Sequence, residues 1–174
     1  MIFAVVGPSG AGKDTLIRGA MAARPDLRLV RRVITRPTDL GGEDFEGVSL
    51  DTFRTRLARG DFALHWDAHG LSYGIPAAQI DGPGDVIFNG IRAVLAEAMK
   101  VIPNLRVILV TAPDAILAAR LSARGRETES QIRDRLARAA FALPDGITAA
   151  TVSNDGTTAE GIERLLAALQ PARV

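Results

Sequence analysis

The sequence predicts an α/β fold, in which a mainly parallel sheet is flanked by helices. Apolar runs bounded by turn residues alternate with segments of helical period along most of the 174 residues, which is the pattern of such a sheet. A glycine-rich loop directly follows the first apolar run and directly precedes a helical segment. No repeat, low-complexity tract or linker interrupts the sequence, so we expect one domain over residues 1–174.

The elements follow in order, and turn or capping residues bound most of them. Ser49 and Gly60 suit the start and end of one short helix, while TESQ and TTAE have the spacing of capping boxes. Strands are predicted at MIFAVVG, LRLVRRVIT, FALHWDAHG, DVIFNG and LRVILVT and within ITAATVSNDG. Helices are predicted at 13–23, 49–60, 90–101 and 113–124 and after the two capping boxes, which begin at Thr128 and Thr157.

Composition excludes several classes of protein. The formal net charge is only +1, from 21 basic and 20 acidic residues, so no overall field indicates nucleic acid or a membrane surface as a partner. Cysteine is absent, which excludes disulfides and thiolate sites. No apolar run approaches the roughly 18 residues of a membrane span, and we recognise no secretory signal. We therefore expect a cytoplasmic protein with small-molecule partners, and leave its oligomeric state open.

The glycine-rich loop predicts a phosphate-binding site. Gly7, Gly12 and Lys13 fit G-x-x-x-x-G-K between a strand and a helix, the context that makes this short motif credible. Backbone N–H groups and the helix N-terminus would bind an anion, and the lysine would reach the outer phosphates. The alternative is a purely structural tight turn. The predicted nucleotide-binding residues are Gly7, Pro8, Ser9, Gly10, Ala11, Gly12, Lys13, Asp14 and Thr15.

Asp14 stands where this motif asks for Ser or Thr to hold Mg²⁺. One interpretation is that Asp14 binds the magnesium ion itself or through a water, because hard oxygen ligands suit that ion. The alternative is an acid in a helix first turn that only interacts with the dipole. The strand DVIFNG ends in Asn89 rather than in an acid, so Asp14 could supply the negative charge missing there. We favour the metal role.

Longer strings indicate a family. GPSGAGK, TRP, YG and ARGRETESQIRDRL together resemble the guanylate kinase group of P-loop kinases over nearly the whole chain. Within that group, RRVITRPTDLGGEDFEGVS, FALHWDAHGLSYGIP, the GKD ending and FNGIRAVL resemble the ribose 1,5-bisphosphate phosphokinases. The resemblance implies ATP and Mg²⁺ as donor and cofactor. It also implies transfer of the γ-phosphate to ribose 1,5-bisphosphate, giving 5-phosphoribosyl 1-diphosphate and ADP.

The residues that would read guanine are missing. Guanylate kinases resemble one another in placing a Glu before their Trp and an Asp after the strand corresponding to VIFN. This sequence has His65 and Asn89 at those positions, and Asp39 where a second phosphate-binding arginine would stand. A guanine pocket is therefore not expected.

The acceptor site is predicted in a polar stretch at about 36–84 and at the helix after DVIFNG. Arginine forks match phosphate oxygens in pairs, which makes Arg36 and Arg92 candidates for the acceptor phosphates and Arg32 a weaker third; solvated positions are the alternative. In FALHWDAHG, strand alternation puts Phe62, Leu64 and Trp66 on one face and polar residues on the other. The remaining substrate-binding candidates are His65, Asp67, His69, Tyr73 and Asn89; packing or surface roles are the alternative for the histidines and Tyr73.

An arginine-rich lid is predicted at about 120–135. Arg120, Arg124 and Arg126 would fold over bound ATP and place cations where charge builds on the transferred phosphoryl group. With Lys13, these arginines are the predicted catalytic residues, and by resemblance Arg135 reaches back to the site. A basic helix C-terminus is the alternative for Arg124. The turn SNDG follows the last strand, where its backbone could read adenine.

Three other functions stay open at this stage. A nucleoside monophosphate kinase acting on GMP would keep the donor site and change the acceptor. A non-catalytic guanylate-kinase-like module would bind protein partners, but it has no need of Lys13 or the lid arginines. A P-loop switch protein is the third, although an arginine lid fits a transferase better.

Overall fold

A five-stranded parallel sheet forms the centre of the protein, of which a computed structural model describes residues 1–38, 44–123, 125, 128–139 and 142–170, with backbone alone at 135, 138 and 139. The strands are β1 (Ile2–Val6), β2 (Arg28–Leu29), β3 (Arg32–Ile34), β4 (Phe45–Gly47), β5 (Phe62–Ala68), β6 (Leu71–Pro76), β7 (Val86–Asn89), β8 (Leu105–Thr111) and β9 (Ala149–Ser153). The helices are α1 (Lys13–Ala23), α2 (Leu50–Ala58), α3 (Ala77–Ile80), α4 (Leu95–Val101), α5 (Asp114–Ala123), α6 (Glu129–Ala139) and α7 (Thr158–Ala168).

The central sheet has the order β2-β7-β1-β8-β9, and every pair in it is parallel. Its three inner strands, β7, β1 and β8, are largely apolar because both faces are covered. Along β1, Phe3 and Val5 join the core with α1, α5 and α7, while Ala4 and Val6 join the core on the other face. All five carboxyl ends meet at one edge, where α/β sheets bind their ligands. The predicted α/β fold is confirmed.

A second, four-stranded sheet packs on one face of the central sheet. Its order is β4-β3-β6-β5, with β3 and β4 parallel and the other pairs antiparallel. Leu64, Trp66 and Ile75 of this sheet share a core with Val6 and Phe88 of the central sheet. The polar stretch predicted to bind the acceptor thus contributes to a sheet, one face of which is turned toward the carboxyl ends of β1 and β7.

The prediction of one strand at LRLVRRVIT is wrong, because that segment contributes to both sheets. Val30 still donates its N–H to the Ile87 carbonyl (2.9 Å) at the edge of the central sheet. At Arg31 the chain leaves that edge, and the Gln79 side chain binds both Arg31 backbone groups, at 2.7 and 3.2 Å. Composition alone does not reveal this change of sheet, since β2 and β3 both combine an arginine with aliphatic residues.

The prediction that Phe62 shares a face with Leu64 and Trp66 is also wrong. A register shift lies between Phe62 and Leu64 in the pairing of β5 with β6, and such a bulge reverses the side-chain alternation. Phe62 therefore stacks on Phe53 of α2, with ring centroids 4.8 Å apart. Leu64 and Trp66 keep the predicted common face and are buried.

The predicted helix starts are largely confirmed. Ser49 accepts a hydrogen bond from the Thr52 N–H, and both capping boxes form, at Thr128 with Gln131 and at Thr157. Residues 90–101 begin as a 3-10 turn at Arg92–Val94 before α4, so the predicted helix starts later than expected. No helix in the described ranges is long and apolar enough to cross a membrane.

Candidate active site

The loop between β1 and α1 packs closely against neighbouring residues at two of its glycines. Gly12 has a φ of 88°, and a Cβ there would lie 2.5 Å from the Asn154 Nδ2. A Cβ on Gly7 would collide with the Val110 carbonyl oxygen. Because glycine alone fits both positions without strain, the loop can turn its N–H groups inward. The side chain of Lys13 folds back along the loop, where its Nζ donates to the carbonyls of Gly7 (3.0 Å) and Pro8 (3.2 Å).

Two further side chains support this loop from the end of α5 and from the turn after β9. The Arg120 guanidinium donates to the carbonyls of Asn154 (2.9 Å) and Gly10 (3.4 Å). Asn154 is only 5% exposed, and its Nδ2 donates to the Ala11 carbonyl at 2.7 Å. Its own N–H donates to the Thr111 carbonyl at 2.7 Å. Arg120 therefore lies beside the loop, while its catalytic role in a lid stays a prediction. Asn154, in the turn SNDG, connects β8, β9 and the loop.

Asp14 and Asn89 are brought together by the fold. Asp14 lies in the first turn of α1 beside the loop, and Asn89 is the last residue of β7. The Asn89 Nδ2 donates to the Asp14 Oδ1 at 2.7 Å. An amide donor at this distance holds the carboxylate in one orientation without neutralising its charge. The two residues singled out by the unusual motif ending therefore form one polar pair at the carboxyl edge of the sheet.

A cavity of about 710 Å³ opens between the loop and the second sheet. One wall is the loop itself, the opposite wall is the face of β5 and β6, and the third side is the chain after β7. Nine of the predicted residues line it: Gly7, Pro8, Ser9, Lys13, Arg32, His69, Tyr73, Asn89 and Arg92. Trp66, Ala68, Gly90, Ile91, Ala93, Ala142 and Pro144 complete the lining.

Positively charged groups enter this cavity from more than one element. Arg92 is half-buried in the 3-10 turn after β7, and burial lowers the pKa of its guanidinium because desolvation disfavours the charged form. The ordinary pKa of arginine is so high that the group stays charged. Together with Lys13 and Arg32 it makes the cavity suited to an anionic ligand.

His69 lies at the mouth of the cavity because of the hairpin that joins β5 to β6. Ala68 pairs with Leu71, which leaves a two-residue turn of His69 and Gly70 with φ values of 54° and 75°. Two positive φ values match the twist of the flanking strands. His69 was predicted to continue the polar face of β5, but the turn carries it to the other side.

The cavity does not include three predicted substrate-binding residues. His65 and Asp67 are exposed on the opposite face of β5, because alternation turns Trp66 and Ala68 toward the cavity. Asp67 accepts a hydrogen bond from the Ser72 Oγ at 2.6 Å. Arg36 lines a second cavity of about 540 Å³ with Thr35, Ser49 and Ser72, and its guanidinium carbon lies 4.6 Å from the Phe45 ring centroid.

Part of the predicted lid lies outside the described residues. Arg124 and Arg126 are not described, nor is Asp39, and the side chain of Arg135 is not described either. Their predicted roles stay predictions. Within the described ranges, the residues that sequence reasoning underrated are Arg32, Trp66 and Asn154. The signal for Trp66 was present, since an apolar face can line a cavity as well as fill a core.

Comparisons with known proteins give relatives for nearly the whole chain. No protein-family model matches. The ribose 1,5-bisphosphate phosphokinase PhnN of Ruegeria sp. is 47% identical over 176 residues, which cover 99% of this chain and 93% of that protein. Its counterpart from Thiobacillus denitrificans is 45% identical, with 98% and 93% covered. A bifunctional ribose 1,5-bisphosphokinase-thymidine phosphorylase of Azorhizobium caulinodans is 49% identical, but the chain spans only 26% of it.

Solved structures confirm the fold. A guanylate kinase from Anaplasma phagocytophilum superposes with a TM-score of 0.65 at 15% identity, covering 96% of this chain and 82% of that one. A gluconokinase from Sinorhizobium meliloti 1021 gives a TM-score of 0.56, also at 15% identity, with 96% and 90% covered. At such identities the likeness concerns the P-loop kinase fold alone. With the fold and with relatives matched over almost their whole length, this chain belongs to the ribose 1,5-bisphosphate phosphokinase family.

Proposed function

We propose that this protein is a kinase that transfers the γ-phosphate of ATP to the 1-phosphate of ribose 1,5-bisphosphate, giving 5-phosphoribosyl 1-diphosphate and ADP. The observation that carries the proposal is that Lys13 and the loop line the same cavity as Arg92 and Tyr73. A donor phosphate on the loop and an anionic acceptor on the other wall would face one another there. We also propose the cytoplasm as its location, where ATP is available.

The reaction asks for positioning and charge stabilisation rather than for proton removal. A 1-phosphate oxygen forms the new bond to the γ-phosphorus, while the bond from that phosphorus to the β,γ-bridging oxygen breaks and its electron pair leaves with ADP. The attacking oxygen is already anionic, so no general base is required. Lys13 and the arginines stabilise the charge that spreads over the transferred group. Ala68, Trp66 and Ile91 supply the apolar part of the wall, which limits water beside the reacting atoms.

Asp14 is the residue we propose to hold Mg²⁺. The ion is usually bound in such sites by one or two carboxylates together with substrate phosphates and waters, and no cluster of three or more metal-ligating side chains occurs in the described part of the chain. One oriented carboxylate beside the loop fits an ion that arrives with ATP. When bound, Mg²⁺ neutralises phosphate charge, and Asn89 keeps the carboxylate aligned for it.

A guanylate kinase is the second candidate, because the fold and the donor loop would serve it equally. The acceptor wall argues against it. The two positions that hold acids in guanylate kinases are His65 and Asn89 here, and neither side chain carries a carboxylate for guanine. In addition, His65 is exposed away from the cavity, and the Asn89 amide donates to Asp14. His65 and Asp67 are exposed on the opposite face of β5, and Arg36 lines the second cavity, so their part in acceptor binding stays a prediction.

The test is an ADP-release assay with ATP and Mg²⁺ in which ribose 1,5-bisphosphate and GMP are offered separately. We expect turnover with the sugar bisphosphate and formation of 5-phosphoribosyl 1-diphosphate, identified by ³¹P NMR. Lys13→Met is the control, and should remove turnover because the outer phosphates lose their cation. Turnover with GMP instead, or none with the sugar bisphosphate, would overturn the proposal.

A further inference from the structure

Arg32 is a buried cation in the wall of the cavity. Only 7% of the residue is exposed, although its guanidinium belongs to a residue type that is almost never fully buried unless it is paired. Its Nη1 donates to the Asn89 carbonyl oxygen at 2.9 Å. Its guanidinium therefore has a defined position, and the residue lines the cavity.

Aromatic rings hold the guanidinium in place. Trp66 and Tyr73 are directly opposed on β5 and β6, and their rings stack with centroids 5.4 Å apart and an interplanar angle of 1°. The Arg32 guanidinium carbon lies 5.4 Å from the Tyr73 centroid and 6.0 Å from the Trp66 centroid. Cation–π contacts within about 6 Å are attractive and favour one guanidinium orientation. Arg32 is thus preorganised before any ligand binds.

The position of Arg32 relates it to the donor site. Its guanidinium contacts the backbone of Asn89, and the side chain of the same Asn89 contacts Asp14, the residue after Lys13. Arg32 is therefore connected to the start of α1 through Asn89, and it lines the same cavity as Gly7 and Lys13. A phosphate bound by Arg32 would be the one that meets the γ-phosphate.

We propose that Arg32 binds the 1-phosphate of the acceptor and is the residue that selects a sugar carrying a phosphate at that carbon. This inference rests on the proposed function and deepens it. Two anionic phosphates must approach closely for transfer, and a fixed guanidinium beside them offsets their repulsion. Its planar fork matches two phosphate oxygens, which an ammonium group cannot do.

The test measures ligand binding separately from turnover, using Trp66, the one tryptophan of the sequence, as a fluorescent reporter in the cavity wall. Fluorescence titrations with ribose 1,5-bisphosphate and ribose 5-phosphate give two affinities for wild type, Arg32→Met and Arg32→Lys. We expect wild type to bind the bisphosphate at least about tenfold more tightly than ribose 5-phosphate. Arg32→Met should lose about ten- to a hundredfold in affinity for the bisphosphate and little for ribose 5-phosphate. Arg32→Lys should fall between them.

Arg31→Met is the matched control, because Arg31 is adjacent but exposed and pairs with Asp44 at 2.9 Å; it should leave both affinities unchanged. ADP affinity and circular dichroism establish that the Arg32 variants are folded. The inference is wrong if Arg32→Met keeps the wild-type preference for the bisphosphate, or loses both sugars equally. If the wild type does not turn over the bisphosphate, the proposed function fails instead, so the two failures are distinguishable.

Discussion

At the scale of single residues, the pair of Asp14 and Asn89 is the most informative feature of the site. A carboxylate beside bound phosphates is repulsive unless a cation lies between them. The Asn89 amide contributes a hydrogen bond to that carboxylate but no charge, so the pair keeps the Asp14 carboxylate in one orientation. This arrangement suits a metal ligand better than a simple helix-dipole role.

We predict that Asp14→Ala lowers kcat/KM about ten- to a hundredfold, and that the remaining activity needs a higher Mg²⁺ concentration. The expected size follows from the cost of weakening a metal site. The measurement is turnover as a function of Mg²⁺ at saturating ATP. Asp51→Ala is the control, because Asp51 is also an acid in a helix first turn but lies away from the loop. If both substitutions changed turnover and its Mg²⁺ dependence equally, Asp14 would only interact with the helix dipole and would not bind the metal.

At the scale of elements, the turn after β9 determines how the loop is held. Asn154 contacts β8, the loop and also α7, because a Cβ on Gly161 of α7 would lie only 2.6 Å from the Asn154 Oδ1. The neighbouring Asp155 accepts a hydrogen bond from Arg164 of α7 at 2.6 Å. This bond and one from the Ser153 hydroxyl hold the pKa of the Asp155 carboxyl below its ordinary value. The turn is thus fixed on both sides.

We predict that Asn154→Ala raises the KM for ATP about tenfold, as well as lowering stability by about 1–3 kcal/mol, because the buried Ala11 carbonyl loses its donor. Thr157→Ala is the matched control: it removes the capping box of α7, costs about 1 kcal/mol and should leave the KM for ATP unchanged. Chemical denaturation and steady-state kinetics give the two quantities. An unchanged KM for Asn154→Ala would show that the turn only stabilises the fold.

At the scale of the whole molecule, the end of the sheet opposite the site is held by an ionic cluster. Asp85, just before β7, accepts hydrogen bonds from the Met1 ammonium group (2.7 Å) and from Arg24 after α1 (2.9 Å). Partial burial acts to raise the pKa of Asp85, but these two cationic donors outweigh it and the pKa lies below its ordinary value. One carboxylate therefore joins the first strand, the first helix and β7.

We predict that Asp85→Asn lowers the free energy of unfolding by about 1–3 kcal/mol at neutral pH, because two charge-assisted hydrogen bonds weaken. A carboxyl with a depressed pKa in the folded state stabilises above its unfolded pKa, and this stabilisation is lost as pH falls below about 4. The variant should therefore lose less stability than wild type between neutral and acid pH. Denaturant titrations at several pH values measure this. Exposed Asp81→Asn is the control, and a wild-type pH dependence in Asp85→Asn would contradict the prediction.

The sequence by itself determined the α/β class, the phosphate loop and most helix boundaries. These features depend on local chemistry: glycines and a lysine between a strand and a helix, capping residues, and the period of apolar residues. The unusual Asp14 and the missing acid at Asn89 were also visible in the sequence. The extent of the acceptor region and of the lid stays a prediction.

Only the tertiary structure decided which side chains meet. The division of LRLVRRVIT between two sheets, the bulge after Phe62 and the turn at His69 each depend on pairing with distant segments, and a shift of one residue reverses a strand face. The structure also decides which face of β5 lines the cavity: it is the face of Trp66, together with Arg32, rather than the face of His65 and Asp67. Asn89 and Asp14 are 75 positions apart in the sequence, so their spacing does not predict that they meet. They meet because β1 and β7 are parallel neighbours, which places the end of β7 beside the start of α1.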